Sequence, residues 1–308
     1  MKAPFGRSIP KGTCLWLQKS LYGIKQGGKL WNDTIHNYLL KLGFMRSRLD
    51  PCLYLRRQND KRTVLGLYVD DVVIVSQRES DSDWMMNKLT ERFQIKDMGL
   101  TTKWLGIHIE KCEDAIYLHQ RTNIDALISE LDMENCRSVA IPMESTRNLH
   151  NEGSERLFET NTKREAISSL LWLSICTRPD ITMPANCLAQ FVASRSTANW
   201  TAMKRVLSYL HGSRDLNLAN MRKQAPQREV KLAIYSDADW AGDKDAKSTS
   251  GDLLTKNGKP IAWYSKKQST VGLSTAEAEY IAGATAVQDC LWGKQLSAEL
   301  ATTSRATM

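Results

Sequence analysis

The 308-residue chain lacks the pairings by which cysteine organises a fold. Its seven cysteines are scattered singly, with no CxxC and no histidine at zinc-site spacing. That argues against a disulfide framework or a structural zinc, and reduced thiols in an intracellular compartment are the expectation. No apolar run approaches the roughly 20 residues of a membrane-spanning helix. The opening MKAPFGRSIPKG has none of the apolar core of a secretory signal. Large-scale disorder is not indicated either, because 42% apolar and 25% charged residues are ordinary globular values. Scarcest of all is negative charge near the start. Residues 1–62 hold 13 Lys or Arg against 3 Asp, while the rest hold 29 basic against 31 acidic side chains. The net charge of +8 therefore originates in the first fifth of the chain. A phosphate backbone is the natural partner for that segment, with a merely solvated basic surface as the alternative. At this length two or three domains are expected.

The most telling stretch is residues 65–76, LGLYVDDVVIVS. Apolar, β-branched runs flank adjacent Asp70 and Asp71, which predicts a tight β-hairpin turning at the two aspartates. Side chains alternate along a strand, but a turn lets neighbouring carboxylates approach one cation. Such oxygens suit Mg²⁺, which takes one or two carboxylates together with substrate phosphates and water. A lone Asp-Asp pair, however, is most often a solvated turn. Upstream, Trp31, Ile35, Tyr38, Leu39 and Leu42 predict an amphipathic helix over residues 29–42, stopped by Gly43. Gly27 and Gly28 read as a soft loop before it. Downstream, a helix is expected over 81–93 with Asp81 or Ser82 as its cap, then strands over 104–109 and 115–119. Residues 122–131 read as a short helix with Thr122 as N-cap. Residues 137–163 are polar and read as a linker. Helices follow over 164–176, 181–191 and 197–211, the first two separated by Thr177-Arg178-Pro179-Asp180. Trp172 and Trp200 sit at core spacing, and Lys204 and Arg205 lie on a solvated face with phosphate contact as the other option. From Arg228 the pattern turns to strands, with a late helix capped by Ser274 or Thr275.

LQKSLYGIKQ, Trp31, KLGF, SRLDPCLYL and LYVDDVVIVS follow the order and spacing of copia-type retrotransposon reverse transcriptases, and the chain resembles that family to about Leu300. KDMGLTTKWLGIHIE is similar to the end of its palm, and LLWLSICTRPDI and MKRVLSYLHGS to its helical connection. SDADWAGD, STSG and AWYSKKQSTVGLSTAEAEY resemble the start of its ribonuclease H domain. The resemblance implies an α/β (α+β) Pol polyprotein fragment. Its parts would be a partial palm with the hairpin over 1–136, a linker and helical connection over 137–228, and a truncated ribonuclease H-like mixed sheet with helices over 229–308. It implies RNA-directed DNA synthesis and cleavage of RNA in hybrids, with Mg²⁺ or Mn²⁺ as cofactor. Asp70 and Asp71 would be the palm's catalytic metal carboxylates, and Asp237 and Glu279 the nuclease's. Tyr68, Gly23, Lys25 and Gln26 would line the nucleotide and template site, with Lys266 and Lys267 as further nucleic-acid contacts. Glu277 is two residues from Glu279, does not share its helix face, and is assigned to the first turn, where the dipole favours it. Asp239 and Asp243 are assigned to turns. The chain departs from the family at Gly27-Gly28, where Ala-Pro is usual, at Arg195 for Pro and at Asn199 for His. The implied partners are RNA and DNA template-primer or hybrid and the remaining polyprotein segments, in cytoplasmic virus-like particles or the nucleus.

In that family a third polymerase carboxylate lies on a strand upstream of the MKAPFG segment, and the nuclease takes a further Asp beyond the Glu helix, which SAELATTSRATM does not supply. Each site is therefore expected to hold part of its carboxylate set, and the isolated chain to be inactive until the rest is supplied. The alternative is a non-enzymatic remnant that at most binds nucleic acid. An in-frame continuation of the gene on both sides favours the enzyme; stops or frameshifts favour the remnant.

Overall fold

The computed structural model describes residues 10, 12–16, 18, 23–144, 149, 160–192, 196–221, 231–242 and 245–301. The chain divides into two compact units, residues 1–99 with 298–308, and residues 100–297. In the first, β1 (Met45–Arg46), β2 (Leu53–Gln58), β3 (Lys61–Tyr68) and β4 (Asp71–Ser76) form an antiparallel sheet in chain order. Cross-strand partners share a face, so Leu65 with Ile74 and Leu67 with Val72 make one apolar side. Against it pack Ile35 and Leu39 of α1 (Gly27–Lys41) and Met85 and Leu89 of α2 (Glu79–Arg92), all at most 1% exposed. Burying such side chains stabilises by roughly 1.5–3 kcal/mol each before entropy is counted. β2 and β3 turn through Asn59 and Asp60, with φ of 48° and 60°, a left-handed backbone that Asn and Asp accept more readily than most residues.

In this unit both helix starts differ from expectation. α1 begins at Gly27, so the glycine pair forms its first turn rather than a loop, and Gln26 makes no side-chain cap bond. Neither Asp81 nor Ser82 caps α2. Asp81 instead accepts a two-pronged pair from Arg78 at 2.9 Å per prong, and Ser82 shares a hydroxyl bond with Ser76 at 2.6 Å. A fork of Arg donors outcompetes a backbone amide for a carboxylate.

The second unit opens with β5 (Lys103–Trp104), β6 (Ile107–Lys111) and β7 (Ala115–His119), joined at the edge by the distant β8 (Leu218–Met221). The expected strand over 104–109 is broken by left-handed Leu105 and Gly106, with φ of 52° and 79°. α3 (Arg121–Glu130) starts one residue early, and the Thr122 hydroxyl bonds His108 at 3.0 Å instead of capping it. α3, α4 (Thr160–Cys176), α5 (Thr182–Gln190) and α6 (Thr197–Gly212) share one core, against which Trp200 packs. The linker expected over 137–163 lies in part outside the described residues. The Pro break between α4 and α5 holds a buried clamp. Arg178, 2% exposed, grips Asp180 at 2.7 and 3.0 Å and the carbonyl of Ser213 at 3.1 Å, while the Tyr209 hydroxyl donates to Asp180 at 2.7 Å. Burial alone would raise the pKa of Asp180, but the bonds and charge of Arg178, with Tyr209, hold it below the usual carboxylate value.

β9 (Leu232–Asp239), β10 (Thr249–Lys256) and β11 (Lys259–Lys267) form an antiparallel sheet ordered β11-β10-β9, followed by α7 (Thr275–Ala301). β10 and β11 turn at Asn257-Gly258, both left-handed, as this dipeptide favours. α7 covers one face. The Gln268 amide donates to Ser250 and to the Ala278 carbonyl at 2.9 Å each, and a Cβ on Gly293 would come within 2.7 Å of Leu254. The other face meets α4, where the Trp263 indole donates to the Ser174 carbonyl at 2.7 Å.

On the α7 face Asp252 is 8% exposed. Burial first, then a hydrogen bond to Asp289 and its charge, push the Asp252 pKa up to about 7. The folded chain thus keeps a proton that the unfolded chain releases near pH ~4. Stability from this group falls as pH rises from ~4 to ~7 and stays reduced above. Asp252→Asn should be more stable than the parent by an amount that grows across this window, reaching on the order of 2 kcal/mol at pH ~8. Urea melts at a series of pH values check it, and a pH-independent difference contradicts it.

Candidate functional site

Strand register fixes the hairpin. Tyr68 pairs with Asp71, so the turn is Val69-Asp70 and Asp71 is the first residue of β4. The turn lies one residue earlier than the two aspartates suggest. Val69 has φ of 51°, a left-handed conformation that costs a β-branched residue on the order of 1–3 kcal/mol. The two-residue loop of this register demands a positive φ at its first position, and the indole N–H of Trp31, on α1, supports it by donating to the Val69 carbonyl at 2.6 Å. Trp31 stands edge-on to Phe93 at 5.3 Å, and Phe93 edge-on to Tyr38 at 5.4 Å. The Tyr38 hydroxyl donates to the Lys88 carbonyl of α2 at 2.5 Å. Trp31 reads in the sequence only as an apolar helix position. The available signal was its polar N–H, since a tryptophan on an apolar face seeks a partner for that group.

Leu67 and Val72 face the helices, so Tyr68 and Asp71 project from the opposite face. Tyr68 is 48% exposed, and Asp70 and Asp71 are exposed as well. Among the described residues neither carboxylate enters an ion pair or hydrogen bond. Two adjacent, unpaired oxygen donors in the open are the chemistry Mg²⁺ or Mn²⁺ takes, in a partial set. Among the described residues no three His, Cys, Asp or Glu side chains form a group that could hold a metal ion.

The other polymerase-side candidates lie before α1. Gly23 has φ of +87°, so its backbone requires glycine although nothing crowds it within 4 Å. Lys25 and Gln26 are exposed. Of the basic residues in this segment, some are committed internally. Arg46 donates to the Pro51 carbonyl at 2.8 Å, Arg57 pairs with Asp60, and Arg56 stacks over Trp84 at 3.9 Å. Lys25, Lys29, Lys41, Arg48 and Lys61 keep exposed side chains.

In the second unit Asp237 lies on β9 in a row with Gly251 and Ser265. Its neighbours on that face, Tyr235, Leu253 and Trp263, are on the side toward α4 and α5. Asp237 and Asp239 line a cleft of about 550 Å³ there, walled by Thr182, Met183 and Cys187 of α5. Glu279, on α7, reaches the end of β9, where its Oε1 accepts from the Ala238 N–H at 3.4 Å, one residue from Asp237. Glu277 is engaged differently. The Ser274 hydroxyl accepts from the Glu277 N–H at 3.2 Å, which makes Ser274 the N-cap, and the Glu277 carboxylate reaches back to accept from the Leu273 N–H just before it at 2.7 Å. The carboxylate of Asp239 packs on Gly242, where a Cβ would come within 2.0 Å of it, so any larger residue there would displace that carboxylate. Asp243 lies outside the described residues. Lys266 is exposed, whereas Lys267 pairs with Asp245 at 2.9 Å.

Residues 1–145 match the family described as reverse transcriptase (RNA-dependent DNA polymerase). The chain is 33% identical over 285 residues to the retrovirus-related Pol polyprotein from transposon RE1 of Arabidopsis thaliana, a match covering 92% of this chain and 19% of that protein. It is 31% identical over 298 residues to the corresponding polyprotein from transposon TNT 1-94 of Nicotiana tabacum, covering 92% of this chain and 22% of the other. A transposon Ty5-1 protein of Saccharomyces cerevisiae is 28% identical over 276 residues, with 89% and 88% covered. The chain thus spans about a fifth of the length of the two plant polyproteins. No solved structure matches it. No helix among the described residues is long and apolar enough to cross a membrane.

Trp31→Phe keeps the edge contact with Phe93 and removes only the hydrogen bond to the turn. It should cost about 0.5–1.5 kcal/mol in a denaturant melt and speed hydrogen exchange at residues 69–71. Unchanged exchange at those amides would contradict the anchoring role.

Proposed function

Because the chain belongs to the reverse transcriptase family of copia-type retrotransposon Pol polyproteins, we propose that its first unit is the part of an RNA-directed DNA polymerase palm that carries two metal-binding aspartates, Asp70 and Asp71. The observation that carries this reading is an exposed, unpaired carboxylate pair on a turn held by Trp31. Asp70 and Asp71 would hold a divalent cation, and the chemistry it would supply is electrostatic stabilisation of the charge that develops in nucleotidyl transfer. The chain's own part is positioning. The Trp31 bond restrains the backbone of the turn from which both carboxylates extend. Tyr68, on the same face as Asp71, offers a ring to a sugar or base. Gly23, Lys25 and Gln26 are assigned to the nucleotide and template, and the exposed lysines of residues 25–61 to phosphates.

In the second unit β9, β10, β11 and α7 are assigned to the beginning of a ribonuclease H-like domain, with Asp237 and Glu279 as its metal carboxylates. Glu279 bonds the backbone of the edge strand β9 one residue from Asp237, whose side chain projects on the face away from α7, so the two carboxylates would share a cation only around that edge. Lys266 is its assigned hybrid contact. Lys267 contributes less, since Asp245 already holds it. Each assigned site comprises two carboxylates, and a two-metal clamp draws on more. The chain alone is therefore assigned metal and nucleic-acid binding without turnover, the chemistry being completed by carboxylates from a longer polypeptide. A remnant that binds nucleic acid through charge alone is the rival, and it needs no metal at Asp70 and Asp71.

Two measurements separate these readings. Mn²⁺ should selectively broaden NMR signals of residues 68–72, and the Asp70→Asn/Asp71→Asn variant should abolish this. Affinity for a primed RNA template should fall roughly 10–100-fold between 50 and 200 mM salt. Broadening that survives the double substitution sinks the metal assignment, and a flat salt response sinks the phosphate assignment. Primer extension by the unmodified chain, lost in Asp70→Asn, would overturn the absence of turnover.

A further inference from the structure

α7 carries two stripes on opposite sides. Ala278, Ala282, Ala286 and Gly293 are buried, small residues that bring the helix close to the β9–β11 sheet. The opposite side is exposed and is not polar as a solvated helix face would be. Tyr280 is 81% exposed, Val287 55% and Leu291 51%, and Ala284 between them is exposed too. With Glu277 before and Lys294 after, these residues are spaced 3, 4, 3, 4 and 3 apart, the a/d rhythm of a coiled-coil seam.

The seam is self-complementary in one orientation only. Laid antiparallel against a second copy about a two-fold axis between Thr285 and Ala286, Tyr280 meets Leu291, Ala284 meets Val287, and Glu277 meets Lys294. Both ends then carry an opposite-charge pair. In a parallel pair each charge would face its own like, Glu277 on Glu277 and Lys294 on Lys294, which is repulsive. An isologous two-fold contact of this kind closes on itself rather than propagating into a fibre. We propose that this face of α7 is a homodimer surface, occupied by the same face of a second copy in antiparallel register. A seam of five turns is about 26 Å long and buries less than the ~1,200 Å² of standard interfaces, so the association is weak and concentration-dependent.

Sedimentation equilibrium of the full chain over roughly 5–300 µM reads it. Dimer should accumulate across that range. Val287→Glu should weaken association at least ~10-fold while leaving the melting temperature unchanged, because the side chain it replaces is exposed. Glu277→Lys and Lys294→Glu should each weaken self-association, since each sets like charges together at both ends. An equimolar mixture of those two variants should recover it, because the mixed dimer restores both pairs. That recovery also guards against loss of the Glu277 cap as the cause. A chain that stays monomeric overturns the proposal and leaves this face to a partner other than a second copy. Association untouched by Val287→Glu, or charge variants that self-associate as the parent does, overturns it equally.

Discussion

The hydrogen bond from the Trp31 indole to the Val69 carbonyl is the constraint on which the first unit's site depends. A valine in left-handed backbone is a conformation the local sequence opposes. The opposition is met by the β3–β4 pairing together with one directed bond, whose donor is itself immobilised by the Trp31, Phe93 and Tyr38 edge contacts. Both helices behind the sheet therefore act on the tip of the hairpin. The core serves as the rigid backing of a turn, and the turn sets where two carboxylates stand. The bond thus ties the backbone of an exposed turn to a partly buried aromatic cluster.

The second unit relies on buried polar groups in the same way. Arg178 and Asp180 sit at the junction of α4 and α5, and their bonds reach Ser213 and Tyr209 at the end of α6. Arg178 is the buried member of this pair, and because a guanidinium left there without acceptors would be an uncompensated charge, it admits only one arrangement of its neighbours. The Pro179 break needs such a device, because proline ends α4 without dictating where the chain goes next.

Much of this was legible in the sequence, and the failures have physical causes. The apolar, β-branched runs of residues 65–76 gave the β3–β4 hairpin, and the Trp31-to-Leu42 spacing gave α1. The turn was misplaced by one residue because Asp70 and Asp71 are both good turn formers, while the deciding partner, Trp31, is 38 residues away. The α2 cap was wrong for a similar reason: Arg78 claims Asp81 through its side chain. β2 and β8 carry no clean alternation, and β8 pairs with β7 across a sequence gap of about a hundred residues, a tertiary choice that no local window contains. Arg178 was unreadable because a charged residue in a polar tetrapeptide looks like surface until its acceptors are brought to it. Asp252 was hidden likewise, since the carboxyl that shares its proton arrives on α7.

The carboxylates of this chain obey one electrostatic rule whose exceptions are informative. A charge taken out of water must be neutralised: the buried guanidinium of Arg178 is met by the carboxylate of Asp180, and the buried acid Asp252 retains its proton. Glu277 spends its charge on the first turn of α7, where the backbone amides need an acceptor. Asp70 and Asp71 have none of these partners. They are side by side, exposed, and carried on a turn whose strained backbone is held by a dedicated bond. Mutual repulsion of two adjacent carboxylates is tolerable in water, so stability alone would not remove the pair, but neither does stability explain an anchor built to fix it. An anchor of that kind has a purpose if a third charge is to arrive between the two, and the smallest species that satisfies both carboxylates at once is a divalent cation.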